Sequence, residues 1–381
     1  MAHSPQSLLS VLCLFLTLAC EDKPRTSGVP SESYSVDRLV EADSVDIIRD
    51  IRVDESGRVW ILAASPPFVT VVDSTGKVLK AGGRRGRGPS DFLYPYAFLT
   101  QAPSGEAPVV IDLGRHQLVQ VDTNLNGAEA TDLRLLSGVM RADMPKIVPS
   151  LPLAVSTAES TVLAIVLTKN VSNESDLASQ SVVRFSTRST DTLWTQRALK
   201  ESQLRWLRAY SLWDSCGESG LLGVDISGRW LRRVHFDGKV DSSRIPLPSF
   251  RRKVEQVDIR RHARFRAELE FRENGSVPTP RQLDEAVEFA GKAVIPGDHD
   301  SLPAYASIKC VSADEYWLQR FDLEQSGNGS SRTWYRIRGG IATLITLPTG
   351  FRPSKFGSNS ILGLMLDDDD IARIATSSRR R

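Results

Sequence analysis

A unit of about 50 residues repeats along most of the chain, and this period restricts the fold more than any other feature. In its first copy, the segments IRVDESGRVWIL (51–62) and FVTVVD (68–73) are short apolar strands separated by turns rich in Asp, Ser and Gly. The second strand of the unit recurs near Val59, Val109, Val162, Leu221, Tyr316 and Ile361. Six copies of a four-strand unit predict an all-β protein, a six-bladed β-propeller. A pair of β-sandwiches is the alternative, but it predicts no regular period.

One interval is too long for the period, because 95 residues separate Leu221 from Tyr316. Residues 249–292 do not alternate between apolar and polar as strands do. Within them, the segment TPRQ (279–282) has the form of a capping box with Pro at the first helical position. Apolar residues follow at helical spacing: Leu283, Ala286, Val287 and Ala290. The sequence therefore predicts a two-helix insertion at 249–292, between blades four and five.

The two ends of the repeat array are incomplete in a complementary way. The sixth unit has only Ile361–Leu366 and Ile371–Ala375 as clear strands, and Tyr34–Glu41 precedes the first unit with no sheet of its own. We predict that Tyr34–Glu41 supplies the outer strand of blade six, since closing the ring removes an exposed sheet edge. The propeller then covers 34–376, and 377–381 is a basic tail.

The N-terminal residues indicate export. Leu8–Ala19 is a stretch of twelve mostly apolar residues, too short to span a bilayer and typical of a secretory signal. The segment TLAC (17–20) resembles a bacterial lipobox, although Thr17 stands where Leu is usual and no Lys or Arg precedes the apolar stretch. We predict a signal peptide at 1–19, lipid attachment at Cys20 and a tether over 20–33. A plain signal peptide and a chain that is not exported remain the alternatives.

Two cysteines remain once Cys13 leaves with the signal peptide and Cys20 carries lipid. Cys216 and Cys310 occupy similar places in blades four and five, each at the end of an inner strand. Equivalent positions in adjacent blades are expected to lie farther apart than the roughly 7 Å between Cα atoms that a disulfide tolerates. The sequence therefore predicts two free thiols.

A glycine-rich segment, GGRRGRGPSDF (82–92), follows the fourth strand of the first unit. It resembles the strand-end loop of NHL-like six-bladed propellers, found in exported bacterial lipoproteins, where the pattern is roughly Gly-x-x-Gly-x-Gly-Pro-Gly-Glu-Phe. Here Ser90 replaces a Gly and Asp91 replaces the Glu. The segment GLMLDDDDIARI (363–374) resembles the closing blade of the same group. The resemblance implies a propeller that binds proteins or ligands, whereas some relatives are metal-dependent lactonases or lyases.

Motifs for catalysis are absent from the sequence. It contains no Gly-x-Ser-x-Gly elbow, no HExxH and no CxxC, and the predicted inner strands carry few carboxylates, mainly Asp54 and Asp214. We therefore predict no catalytic residues, no metal site and no cofactor. The formal net charge of +2 is too small to hold nucleic acid by bulk charge, so nucleic acid is not an expected partner.

Three arginines on the glycine-rich segment are the candidate ligand face: Arg84, Arg85 and Arg87. The connection from an outer strand to the next inner strand lies on the face where propellers usually meet ligands. Guanidinium groups there suit carboxylates or phosphates. The alternative is that the glycines serve a tight turn and that the arginines are solvated or pair with Asp91.

Together these features predict a monomeric cell-envelope lipoprotein that faces the periplasm or the cell exterior and is held to the membrane by its lipid. Its expected function is non-enzymatic binding of an unknown envelope protein or an anionic ligand. The alternative function is a metal-dependent, lactonase-like hydrolase on the propeller channel.

Overall fold

The repeating unit folds as a four-stranded antiparallel sheet, and its burial explains the sequence pattern. In the first sheet the second and third strands, Val59–Ala63 and Val69–Val72, are buried at every position, so both read as continuous apolar runs. The fourth strand, Val78–Gly82, is exposed along most of its length and carries Lys80. The apolar core of each sheet is therefore concentrated in its middle strands.

The computed structural model describes residues 29–379 except 41–47, 55, 74–75, 89–90, 100–107, 113, 116, 122–124, 126–129, 133–147, 157–160, 171–172, 187–188, 198–211, 249, 251, 274–275, 294–300, 324–329, 357–359 and 367–371. The predicted signal peptide and Cys20 lie outside the described residues, as does most of the predicted tether. Ser31–Arg381 forms one compact unit.

Five sheets follow one another along the chain, each in the order of its strands. Sheet I consists of β2 (Ile48–Val53), β3 (Val59–Ala63), β4 (Val69–Val72) and β5 (Val78–Gly82). Sheet II consists of β6 (Pro95–Phe98), β7 (Val109–Asp112), β8 (Gln117–Gln120) and β9 (Ala130–Asp132). Sheet III consists of β10 (Val148–Ser156), β11 (Thr161–Asn170), β12 (Asn173–Phe185) and β13 (Thr190–Arg197). Sheet IV consists of β14 (Leu212–Ser215), β15 (Leu221–Val224), β16 (Trp230–Val234) and β17 (Val240–Arg244). Sheet V consists of β18 (Tyr305–Cys310), β19 (Glu315–Phe321), β20 (Ser330–Arg338) and β21 (Ile341–Thr346). The predicted second strands are confirmed in all five.

Sheet VI unites the two ends of the described chain. It consists of β22 (Phe351–Phe356), β23 (Ser360–Leu366), β24 (Ala372–Arg379) and the first strand of the chain, β1 (Ser31–Val40). From Tyr34 to Val40, β1 is antiparallel to β24, which confirms the predicted pairing. Residues 31–33 of β1 pair in parallel with β21 of sheet V, so β1 joins sheets V and VI into one eight-stranded sheet. The strands thus include the end of the predicted tether and, at 377–379, the start of the predicted tail.

Two helices lie between β17 and β18, as predicted: α1 (Gln256–Glu273) and α2 (Pro280–Ala293). The predicted capping box begins α2, where the Thr279 N–H donates to Gln282 Oε1 at 2.8 Å and the Gln282 N–H donates to Thr279 Oγ1 at 3.4 Å. Neither of these described helices has the length and apolar character needed to cross a membrane. The fold is therefore mostly β, with one helical insertion.

The insertion packs on neighbouring segments through a small core, and an ion pair within the insertion stabilises the start of α1. Val254 and Ile259 pack with Leu302 and Leu323. Asp258 is fully buried and receives two hydrogen bonds of 2.6 Å from the Arg252 guanidinium. Burial alone would raise the pKa of Asp258, but the bonds from Arg252 and the Glu255 N–H, together with the charges of Arg252 and Arg261, outweigh burial and the pKa is lowered.

Side chains join the first strands of neighbouring sheets. These strands have one edge without a sheet partner, so their backbone groups need other partners. Asp50 on β2 accepts a hydrogen bond of 2.8 Å from the Phe98 N–H on β6. Asp214 on β14 likewise accepts one of 2.8 Å from the Cys310 N–H on β18. From β22, Lys355 donates to the Val53 carbonyl on β2 at 2.8 Å.

The prediction of two free thiols is wrong, because Cys216 and Cys310 form a disulfide with a Cα–Cα distance of 5.3 Å. Cys310 ends β18, and Cys216 follows β14. These first strands lie side by side, close enough for the hydrogen bond between Asp214 and Cys310. The prediction overestimated the distance between equivalent positions because the separation of neighbouring sheets is smallest at their first strands.

Candidate functional site

The candidate ligand segment forms a loop closed around a buried carboxylate. We call residues 83–93, between β5 and β6, the arginine loop. Asp91 is only 6% exposed, accepts a hydrogen bond of 2.7 Å from Arg84 Nε and accepts another of 2.7 Å from the Gly88 N–H. The bond from Arg84 is the main cause of a lowered pKa for Asp91. The loop is therefore built around an ionised carboxylate.

Two glycines permit this closure. A Cβ at Gly86 would lie 2.3 Å from Asp91 Oδ2, and one at Gly88 would lie 2.8 Å from it. Both distances are too short for a side chain. Arg115 fixes the loop from outside, donating to the carbonyls of Gly88 at 2.9 Å and Asp91 at 2.7 Å. The spacing Gly-Arg-Gly followed by Asp is thus explained by the shape of the loop.

The three predicted arginines differ in their partners. Arg84 pairs with Asp91, which is the alternative to ligand binding given in the sequence analysis. Arg85 and Arg87 are exposed, and no carboxylate in the described part of the chain lies within ion-pair distance of either. The structure therefore separates one arginine that stabilises the loop from two whose charge is directed to solvent.

Exposed aromatic residues follow the arginine loop, and the sequence analysis missed them. Tyr94 is 48% exposed and Tyr96 is 41% exposed, at positions two apart in an extended segment. The Arg49 guanidinium lies 4.2 Å from the centre of the Tyr94 ring. We call Arg49, Arg85, Arg87, Tyr94 and Tyr96 the arginine–tyrosine face. The tyrosines themselves were a signal, because Tyr is enriched at protein interfaces.

A second charged group lies along the first strands, where Asp50, Asp214 and Lys309 come from β2, β14 and β18. Burial raises the pKa of Asp50, while the Lys309 charge lowers it and the Asp214 charge raises it, so the three groups share one electrostatic environment. Burial also raises the pKa of Asp214, whose Oδ1 lies 3.9 Å from Lys309 Nζ. Each carboxylate already accepts a backbone hydrogen bond from a neighbouring sheet.

The other predicted inner-strand carboxylate, Asp54, belongs to a turn. It accepts hydrogen bonds from Ser56, Arg58 and Trp60 Nε1. It thus links the β2–β3 turn to the start of β3 and is not part of the Asp50 group. Across the described residues, no group of three or more His, Cys, Asp or Glu side chains is arranged to hold a metal ion.

No protein-family profile matches this sequence, and no curated protein is significantly similar to it. Among solved structures, a DUF4221-family member from Bacteroides vulgatus is similar over 93% of this chain and 98% of its own, at 7% identity and a TM-score of 0.49. Regucalcin, a calcium-binding protein of Agrobacterium tumefaciens, is similar over 92% and 97%, at 11% identity and a TM-score of 0.44. A catalytically inactive virginiamycin B lyase of Staphylococcus aureus is similar over 91% and 99%, at 9% identity and a TM-score of 0.42. At this level of similarity, none of them assigns a ligand or a reaction to this chain.

Proposed function

We propose that the chain is a closed six-bladed β-propeller of the NHL-like type. Six four-stranded units support this, the last two of them joined edge to edge through β1. The contact between the last and first units supports it too: Lys355 on β22 bonds to the Val53 carbonyl, and Ser354 donates to the Ile51 carbonyl at 3.3 Å. In a closed ring the first strand of sheet VI stands beside that of sheet I, and no blade edge is left over.

The second part of the proposal is export and anchoring at the cell envelope through lipid on Cys20. A disulfide between Cys216 and Cys310 supports export, because such bonds persist in oxidising compartments and are rare in the cytosol. The apolar segment Leu8–Ala19 followed by Cys20 is the corresponding export signal in the sequence.

The third part is a non-enzymatic function: the propeller binds an acidic partner through its arginine–tyrosine face. The observation that carries this is the exposure of Arg85 and Arg87 on a loop held by Asp91 and Arg115. A loop that is already ordered loses little entropy on binding. Tyr and Arg are also among the residue types that contribute most to binding energy at protein interfaces, and guanidinium groups pair well with carboxylates.

The charges along the first strands favour binding over hydrolysis. A lactonase-like centre needs several oxygen ligands directed at one cation. Asp50 and Asp214 are only two carboxylates, each accepts a backbone N–H, and the Lys309 ammonium lies 3.9 Å from Asp214. The positive charge of Lys309 beside Asp214 would repel a metal ion bound there.

The binding proposal is tested with immobilised poly-L-glutamate as the acidic probe and the exported chain carrying Cys20→Ser to keep it free of lipid. We expect Arg85→Ala with Arg87→Ala to weaken binding about tenfold or more, and added salt to weaken it further. The matched control is Arg281→Ala with Lys292→Ala, which removes two exposed charges from α2. Equal weakening by both pairs would show only bulk charge, and lactone hydrolysis that depends on Ca²⁺ or Zn²⁺ would overturn the non-enzymatic function.

A further inference from the structure

A cleft of about 410 Å³ lies between sheets IV and V and shares no lining residue with the arginine–tyrosine face. One wall comes from β16 and β17, and the other from residues 313–314 and the turn Gly339–Gly340. The Arg233 guanidinium donates to the Ala313 carbonyl at 2.7 Å, and the Gly339 N–H donates to the Asp314 carbonyl at 3.1 Å. The first bond joins the two walls, and the second holds together the two segments of the second wall.

Part of the lining of this cleft is apolar and carries the hydroxyl group of Tyr316. Leu231, Tyr316 and Ile337 line it and are each less than 9% exposed. Burial raises the pKa of Tyr316 to about 12, against the lowering effect of Arg233, so the phenol keeps its proton at neutral pH. A ligand with an apolar side chain would find both contact area and a hydrogen-bond donor here.

Besides Arg233, whose guanidinium is bonded to the Ala313 carbonyl, two charges of opposite sign without an ion pair line the same cleft. Asp241 pairs with Lys239 at 3.1 Å and is hydrogen-bonded to the His235 ring at 3.0 Å. Arg244, by contrast, has no carboxylate within ion-pair distance among the described residues, and Asp314 has no cation within that distance in the same part of the chain. A ligand with a single charge would satisfy one of these groups and leave the other unpaired.

We propose that this cleft binds amino acids or short peptides with free termini. The carboxylate of the ligand pairs with Arg244, its ammonium group pairs with Asp314, and an apolar side chain packs on Leu231, Tyr316 and Ile337. A zwitterion is the ligand class that uses both unpaired charges, and the volume lies in the range of small-molecule sites. This binding is independent of the acidic partner proposed above.

Calorimetric titration with the dipeptide Ala-Phe tests the proposal on the exported chain carrying Cys20→Ser. We expect binding in the millimolar range or tighter, weakened about tenfold by Arg244→Gln and about tenfold by Asp314→Asn. N-acetylated Ala-Phe should bind about tenfold more weakly to the unaltered cleft, and Asp314→Asn should weaken it no further. The control variant Arg281→Gln with Asp284→Asn, on the exposed side of α2, should bind as the parent does.

Ser243→Trp fills the cleft from an exposed position on β17 and should abolish binding while the circular dichroism spectrum stays that of the parent. This test is separate from that of the acidic partner, because Arg85→Ala with Arg87→Ala should leave Ala-Phe binding unchanged. Absence of Ala-Phe binding by the folded parent would overturn the proposal. Binding that survives Ser243→Trp, or that is indifferent to acetylation and amidation of the dipeptide, would overturn it as well.

Discussion

Asp54 shows how a single carboxylate stabilises the turn between two strands of a sheet. Burial would raise its pKa, but hydrogen bonds from Ser56, Trp60 and Arg58 outweigh burial and lower the pKa to about 2. The unfolded chain binds a proton near the ordinary value of about 3.9, so the stabilisation is present above that pH and is lost as pH falls towards 2. We expect Asp54→Asn to cost about 1–2 kcal/mol of unfolding free energy at neutral pH, measured by urea denaturation.

The same series at several pH values separates this effect from general damage. The difference between parent and Asp54→Asn should shrink as the pH is lowered from about 5 to 2. Asp237→Asn is the control, because Asp237 lies in another turn and its carboxylate accepts a bond from the Lys239 N–H. A difference between parent and Asp54→Asn that stays constant across this range would contradict the assigned hydrogen bonds.

Single residues also mark where sequence reasoning ends. Asp54 and Asp214 were both visible as inner-strand carboxylates, but their roles depend on partners that the repeat does not reveal. Asp54 bonds within its own turn, whereas Asp214 meets Lys309 and Cys310 from the next sheet. Asp50 and Lys309 are 259 positions apart in the chain. Their shared environment follows from the fold and not from any local pattern.

At the scale of elements, the disulfide between Cys216 and Cys310 joins sheets IV and V and closes a loop with a sequence separation of 94. It spans the helical insertion, so it restricts a long segment of the unfolded chain. We expect Cys216→Ala with Cys310→Ala to lower the unfolding free energy by about 2–5 kcal/mol, measured by chemical denaturation.

A reducing agent provides the internal control for this prediction. It should lower the stability of the parent by a similar amount and leave that of the double variant unchanged. Peptide mapping without reduction should recover the 216–310 bridge from the parent. Two alkylatable thiols at these positions in the unreduced exported protein would refute the pairing.

Elements differ in how far local sequence determines them. Helix α2 was predictable because a local motif marks its start: Thr279 and Gln282 form a capping box, and Pro280 is the first helical residue. Strand β22 was missed because FRPSKF (351–356) has no apolar alternation and includes Pro353, yet it pairs with β23 as a first strand with one free edge. The disulfide depends on the spacing of β14 and β18, which belong to different repeats.

At the scale of the whole molecule, β1 joins the two ends of the described chain in one sheet. Tyr34 packs with Trp317, Trp334 and Ile361 in the core between sheets V and VI. Glu32 pairs with Arg336 at 2.8 Å and with Arg379 at 3.4 Å, so it links β1 to β20 and to the end of β24. The predicted shared sheet therefore has contacts that only tertiary structure provides. If β1 completes the last blade, it holds the two ends of the ring together.

Site-specific cross-linking tests that closure most directly. Ser35 and Ser378 are paired across β1 and β24, so Ser35→Cys with Ser378→Cys, in the chain carrying Cys20→Ser, places two thiols at neighbouring positions. We expect a short bismaleimide to join them within one molecule, with the bridge identified by peptide mapping. The control pair, Ser35→Cys with Ser243→Cys on β17, belongs to blades that are not adjacent in a six-membered ring and should not be joined. An intramolecular bridge at 35–378 with none at 35–243 is the result that a ring closed by β1 predicts, and no bridge at 35–378 in the folded protein would contradict it.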